Sequence, residues 1–242
     1  MFSLLFIKYD FHTYIRLKVN KKGSFIMSIE TKMKKYENSG FSAWQIKQIQ
    51  YGFENGLSEE QIEFYAKPEF DGFQMSEIRE GFEEGLTMNQ IKLYANPKFD
   101  GSRMVEIHKG IKNGLTNEQI KFYAKSKFDS YQMRVIREGF EHKLSVDQIK
   151  LFAKPEFESN QMIQICIGLQ RGLTTEQVEI FAKPEFNWSQ MMKIRQDLEQ
   201  QNKQHDSQFI AGDDVLNNDA VNVTAGGFTS EAFYDDNTHN IK

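Results

Sequence analysis

Apolar side chains return along this chain with a period of 29 residues. Phenylalanines stand at Phe41, Phe70, Phe99, Phe128, Phe157 and Phe186, with no insertion between them. With each taken as position 1 of a copy, apolar residues recur at positions 6, 9 and 13, as Met75, Ile78 and Phe82. Spacings of three and four place them on one face of a helix. Position 2 carries a capping side chain in most copies (Ser42, Asp71, Asp100, Asp129), and position 5 is Gln in five (Gln45, Gln74, Gln132, Gln161, Gln190). A short polar residue followed three places on by Gln is a capping box.

The first helix of a copy, helix A, is predicted to stop at position 16. Gly56, Gly85, Gly114 and Gly172 stand there, each followed by leucine. That is a glycine C-cap with its apolar neighbour. A second helix, helix B, starts at once. Ser58, Thr87, Thr116, Ser145 and Thr174 begin it, with Gln61, Gln90, Gln119, Gln148 and Gln177 three places later. An Ile-x-x-Tyr-Ala core follows, then Pro68, Pro97, Pro155 and Pro184, all four prolines of the chain. Proline cannot continue a helix, so each copy is a helix of about 11 residues, a tight turn and a helix of about 8.

These copies run over 41–69, 70–98, 99–127, 128–156 and 157–185, with a half-copy at 186–201. The fold class expected is all-α: a short α-solenoid of helix-turn-helix repeats. One copy is too small to bury its own apolar faces, so the copies must stack. Glycine inside helix A at position 12 (Gly52, Gly81, Gly110, Gly139, Gly168) supports close stacking. Glycine there costs about 1 kcal/mol relative to alanine, so its return in five copies implies a backbone contact too close for a side chain.

Outside the array the expectations differ. Residues 27–40 form a polar lead-in helix or arm. Residues 202–242 are rich in Asn, Asp, Gly and Thr and form an acidic, disordered tail. Met1 to Ile7 is apolar but lacks the basic leader and small-residue cleavage site of a secretion signal. Lys21-Lys22-Gly23, a few residues before Met27, reads as a ribosome-binding site translated in frame. Met27 is therefore the expected natural start and 1–26 a leader or mis-assigned start; N-terminal sequencing of natively expressed protein that found 1–26 present would reject this.

The pattern Gln-Met-x-x-Ile-Arg-x-Gly-Phe-x-x-Gly-Leu-(Ser/Thr)-x-x-Gln-Ile-x-x-Tyr-Ala-x-Pro-x-Phe-Asp resembles short helical repeats in poorly characterised proteins of Gram-positive bacteria and their plasmids, conjugative elements and phages. Gln74, Met75, Ile78, Arg79, Gly81, Gly85, Leu86, Tyr94, Ala95 and Pro97 carry the resemblance best, over about residues 41–201. It implies a helical array from a mobile element or its host, and by that setting a factor that occludes a host protein, including a defence complex. It carries over no catalytic residues. Lys143, Ser126 and Asp197 depart from the pattern at the C-cap, the proline and the inner glycine.

Composition changes this picture little. A net charge of −4 gives no global pull towards nucleic acid. One cysteine, Cys166, fits a reducing compartment, and a cytoplasmic location is expected. No apolar run approaches the ~18 residues of a membrane span, so no membrane association is expected. Of the histidines, His12, His108, His142, His205 and His239, no pair has metal-ligand spacing. Cys166 and His108 both hold position 10, two periods apart. Helices packed 8–10 Å apart separate them by roughly 20 Å, too far for a nucleophile–base pair. No catalytic residue, cofactor or metal is implied, and a non-enzymatic protein-interaction module is expected.

Candidate surface residues come from departures between copies. Ile163 and Ile167 replace polar residues at positions 7 and 11, with Met192 at position 7 of the half-copy. They read as an exposed apolar face for a partner or dimer contact, or as a face buried under the tail or a final capping helix. Arg79, Arg137 and Arg195 share position 10 and read as a ladder for anionic groups, or as partners of neighbouring glutamates. Charge is also polarised. Residues 51–84 hold ten acidic side chains against Lys67 and Arg79, and 98–154 hold twelve basic against seven acidic. Lys109, Lys112, Lys121 and Lys125 in that basic middle are the candidates for an alternative function, nucleic-acid binding.

Overall fold

The computed structural model describes residues 29–37 and 39–213, with side chains as far as His205. The fold is all-α and solenoid-like. Twelve helices and no strand occur among the described residues. Two compact units divide these residues, one ending at Glu199 and the other beginning at Gln200. The proposed leader 1–26 lies outside the described residues, as does the tail beyond Asp213.

A five-residue helix, α1 (Ile29–Met33), opens the first unit and packs on α2. Helices A are α2 (Ala43–Glu54), α4 (Gly72–Glu83), α6 (Gly101–Lys112), α8 (Ser130–Glu141) and α10 (Ser159–Gln170), each of 12 residues. Helices B are α3 (Glu59–Tyr65), α5 (Met88–Ile91), α7 (Asn117–Tyr123), α9 (Val146–Phe152) and α11 (Thr175–Phe181). In α5 the α-helical turn is cut to four residues and continues through i→i+3 bonds from Leu93 N–H to Gln90 and from Tyr94 N–H to Ile91. Each helix A packs on the next helix A, forming an inner layer, while each helix B packs on its own helix A. Helices α3, α7 and α9 also reach the following helix A. The period of 29 residues is thus one step of a two-layer stack.

Capping chemistry sets the boundaries. Gly56, Gly85, Gly114 and Gly172 take φ between 80° and 87°, and Leu57 N–H returns to Gly52 O at 2.9 Å, the six-to-one bond of a Schellman turn. Lys143 fills the same place at φ 65°, the one non-glycine residue with positive φ among those described.

Two expectations need correction. Helix α12 (Trp188–Asp213) does not stop with the half-copy at 201 but runs 26 residues, so 202–213 are helical. The C-cap glycine is absent here: position 16 is Gln201, and no glycine or proline follows before Gly212. Gln, Lys and Ala in that interval are good helix formers.

The second correction concerns position 12. A Cβ built on Gly52, Gly81 or Gly110 would lie 2.1 Å from the hydroxyl of Tyr65, Tyr94 or Tyr123. The close approach is therefore between the two helices of one copy, not between stacked copies. Each hydroxyl donates to the position 8 carbonyl of its own helix A: Gln48 O at 3.1 Å, Glu77 O at 3.2 Å and Glu106 O at 3.2 Å. Burial pushes all three phenols above their ordinary range, so they remain donors.

Candidate interaction surface

The junction between copies is built from the side chains that the repeat holds most constant. The Gln at position 5 has two tasks. Its carbonyl accepts the N-cap N–H, and its amide crosses to the next copy. Gln45, Gln74, Gln132 and Gln161 Nε2 donate to the carbonyls of Phe70, Phe99, Phe157 and Phe186 at 2.6–2.7 Å. In the third copy Arg103 replaces Gln, and its Nε donates to Phe128 O at 2.7 Å.

A second set of bonds runs from position 10 of one copy to position 8 of the copy before. Arg79 Nε donates to Gln48 Oε1 at 3.1 Å, Arg137 Nε to Glu106 Oε2 at 3.0 Å, and Arg195 Nε to Gln164 Oε1 at 3.2 Å. Each arginine also pairs with a glutamate one turn on, Glu83, Glu141 and Glu199. Positions 15 and 14 close the outer side: Asn55 Nδ2 donates to Glu83, Asn113 Nδ2 to Glu141, and Arg171 Nη1 to Glu199. At the second junction His108 takes the arginine's place. It stacks on Tyr94 with centroids 5.6 Å apart, and its Nε2 meets Glu84 at 3.1 Å. At the fourth junction the same two positions are apolar, Val135 and Cys166, both fully buried.

These contacts decide the fate of several candidates. Arg79, Arg137 and Arg195 are buried and committed to the junctions, so they form no ligand-facing ladder. Ile163 and Ile167 are not an exposed face either: they are 5% and 8% exposed. Every residue of α10 from Gln161 to Leu169 is buried, because α8, α9 and α11 pack on it and the start of α12 bonds to it through Arg195 and Gln164. Met192 is half-buried. Reversal of hydropathy at positions 7 and 11 marked a deeper layer, not a docking patch.

The four lysines separate into two pairs. Lys109 and Lys112 lie on α6 and spend their charge on Glu106 at 3.4 Å and Glu84 at 3.0 Å. Lys121 and Lys125 are exposed on the outer layer, Lys125 with its ammonium 5.2 Å from the Phe122 ring. They belong to a larger set that the sequence reading passed over. Position 23 of helix B, or its equivalent after α5, is Glu63, Lys92, Lys121, Lys150 and Glu179 in the five copies, and all five are exposed.

Exposed aromatic rings form another set. Trp44, Phe73 and Tyr131 occupy position 4 at the start of helices A, and Trp188 stands one place earlier in α12. Trp44 is 56% and Tyr131 58% exposed. Two of these rings also brace the stack: a Cβ on Gly72 would meet Trp44 Cγ at 2.8 Å, and one on Gly101 would meet Phe73 Cδ1 at 1.6 Å. In the sequence the rings at position 4 read as braces of the helix start, a role that Trp44 and Phe73 fill while leaving part of each ring in water.

Cys166 is buried, and burial pushes its thiol up to about 12, which suppresses the thiolate needed for attack. A cleft of about 110 Å³ beside α1 is lined by Lys32, Lys35, Tyr36, Phe53, Glu59 and Glu63. Its charges are paired as Lys32–Glu59 at 2.8 Å and Lys35–Glu63, and its volume is well below the ~300 Å³ of small-molecule sites. No group of three metal-ligating side chains occurs among the described residues, and none of their helices is long and apolar enough to cross a membrane. Comparison with protein families, curated proteins and solved structures finds no match for this chain.

Proposed function

We propose that this chain is a non-enzymatic protein-interaction module. The observation that carries the reading is the exposed aromatic edge, Trp44, Phe73, Tyr131 and Trp188. Constant residues of the repeat are consumed by caps and junctions, whereas these rings keep a large apolar surface in water. Aromatic side chains are the residues that most often anchor protein interfaces. The occurrence of similar repeats in mobile elements makes a host protein the partner we expect, held by occlusion.

Affinity capture of the tagged full chain from cells that natively express it tests this. A single protein should be recovered in stoichiometric amount. Recovery should fall at least tenfold for Tyr131→Ser with Trp188→Ser, with circular dichroism unchanged. Recovery of nucleic acid alone, or of a complex that nuclease dissolves, overturns the reading in favour of nucleic-acid binding. That second reading draws support from Lys121 and Lys125, and less from Lys109 and Lys112, whose charge is already engaged.

A further inference from the structure

The outer layer carries a charge sequence of its own. One period apart, position 23 reads Glu63, Lys92, Lys121, Lys150, Glu179: three cations bounded by an anion at each end. Around it the layer is mixed: position 27 carries Lys67, Lys125, Lys154 and Lys183, and position 20 carries Glu60, Glu118, Asp147 and Glu176. All eight but Lys67 are exposed. Among the described residues Lys92 and Lys121 have no carboxylate within ion-pair distance, while Lys150 has Asp147 at 2.8 Å. At the first end Lys32 and Lys35 pair with Glu59 and Glu63, leaving Glu60 to hold the negative charge there.

The geometry points to a protein partner with a short acidic strip bounded by basic groups at both ends. This rests on the protein-interaction reading and adds the partner's chemistry. Helices A repeat about every 8–10 Å, so the three cations span on the order of 20 Å and the bounding glutamates on the order of 40 Å. A nucleic-acid strand advances about 3.4 Å per phosphate, so any strand longer than about 12 nucleotides meets glutamates at both ends. A folded protein or helix can end its acidic strip where the lysines end. A second copy of this chain does not fit: laid antiparallel in register, lysine meets lysine and glutamate meets glutamate.

Fluorescence anisotropy with the full chain tests the inference on three probes. One is a helical peptide with glutamates in its central turns and arginines at both ends. The second has the same composition with charges evenly interspersed, and the third is a 20-nucleotide oligouridylate. The blocked peptide should bind at least tenfold tighter than either of the others. Lys92→Glu, Lys121→Glu and Lys150→Glu together should abolish that preference. Glu60→Lys with Glu176→Lys and Glu179→Lys should shift it towards oligouridylate. Equal binding of the two peptides, or tighter binding of oligouridylate by the unmodified chain, overturns the inference. Failure of the broader reading looks different: no protein is captured from native cells at all. If a protein is captured and persists with the triple lysine variant, the stripe alone is refuted.

Discussion

The third and fourth copies have the same backbone and different interiors. Both pair a 12-residue helix A with a seven-residue helix B. In the third, Tyr123 reaches across Gly110 to donate to Glu106 O, and Glu106 receives Arg137 from the next copy. In the fourth, Phe152 replaces the tyrosine and Val135 the glutamate, and Lys143 replaces the C-cap glycine. A Cβ on Gly139 would meet Phe152 Cζ at 3.0 Å and Ile149 Cδ1 at 2.6 Å, against 2.1 Å to Tyr123 Oη in the third copy. One copy is organised by a hydrogen-bonded hydroxyl and a buried ion pair, its neighbour by apolar contact. Helix geometry and caps therefore suffice to define the unit, and its interior can be polar or apolar.

The largest expected effect is at the charged junction. Arg137 is 6% exposed and faces Glu106, Glu138 and Glu141. Arg137→Ala leaves carboxylates without their cation and should cost about 3–5 kcal/mol in chemical denaturation. Cys166→Ala, at the equivalent place one junction on, should cost only about 1 kcal/mol. Similar losses at both would erase the distinction between the junctions.

Next comes the glycine. Gly110→Ala drives a methyl into Tyr123 Oη and should lower stability by about 2 kcal/mol, from overpacking and a displaced hydrogen bond less the gain in helix propensity. Gly139→Ala meets only rotatable side-chain ends and should stay within about 1 kcal/mol of the parent. Adding Tyr123→Phe to Gly110→Ala reproduces the alanine–phenylalanine pair of Gly139→Ala and should restore most of the loss. Thermal melts of the three variants decide it.

A smaller effect concerns Glu138. Burial raises its carboxyl pKa despite Arg137 and Arg134 nearby, and its Oε2 and Arg134 Nε are buried without hydrogen-bond partners. Burial opposes the Arg137 charge, and Glu141, Glu106 and Glu138 together outweigh it. A carboxyl raised on folding favours the folded state below its ordinary range and loses that contribution as pH rises through its folded value. Glu138→Gln should therefore melt higher than the parent at pH 7, with the gap closing towards pH 4. A gap that widens on acidification would show Glu138 to be a stabilising partner. Smallest is Lys143→Gly, which relieves a positive φ and should add about 0.5–1 kcal/mol. A loss would mean that the lysine side chain contributes more than its backbone costs.

How much of this was legible follows from which neighbour a residue answers to. The helices, their caps and the period depend on groups within four residues of one another. Ser58 with Gln61, and Gly56 with Leu57, can be read along the chain because their partners are adjacent. The outward task of Gln45 was hidden, since its amide answers to Phe70, 25 residues on. So was the reason for Gly110, whose partner Tyr123 lies on the other helix of the copy. Ile163 and Ile167 could be read as surface or as buried because one helix's periodicity shows only which side meets its nearest neighbours. It cannot show that α10 is enclosed by three packed helices and the start of a fourth.

By itself the sequence determined an all-α stack of helix pairs with a 29-residue step, because local hydrogen bonding and a repeated apolar face admit little else. Only the tertiary structure decided what is surface and what is junction. Arg79, Arg137, Arg195, Ile163 and Ile167 went inward, and the Lys92–Lys121–Lys150 stripe and the aromatic edge stayed in water. The physical reason is that exposure depends on what stacks one period away, and the chain brings those residues together only when the copies pack.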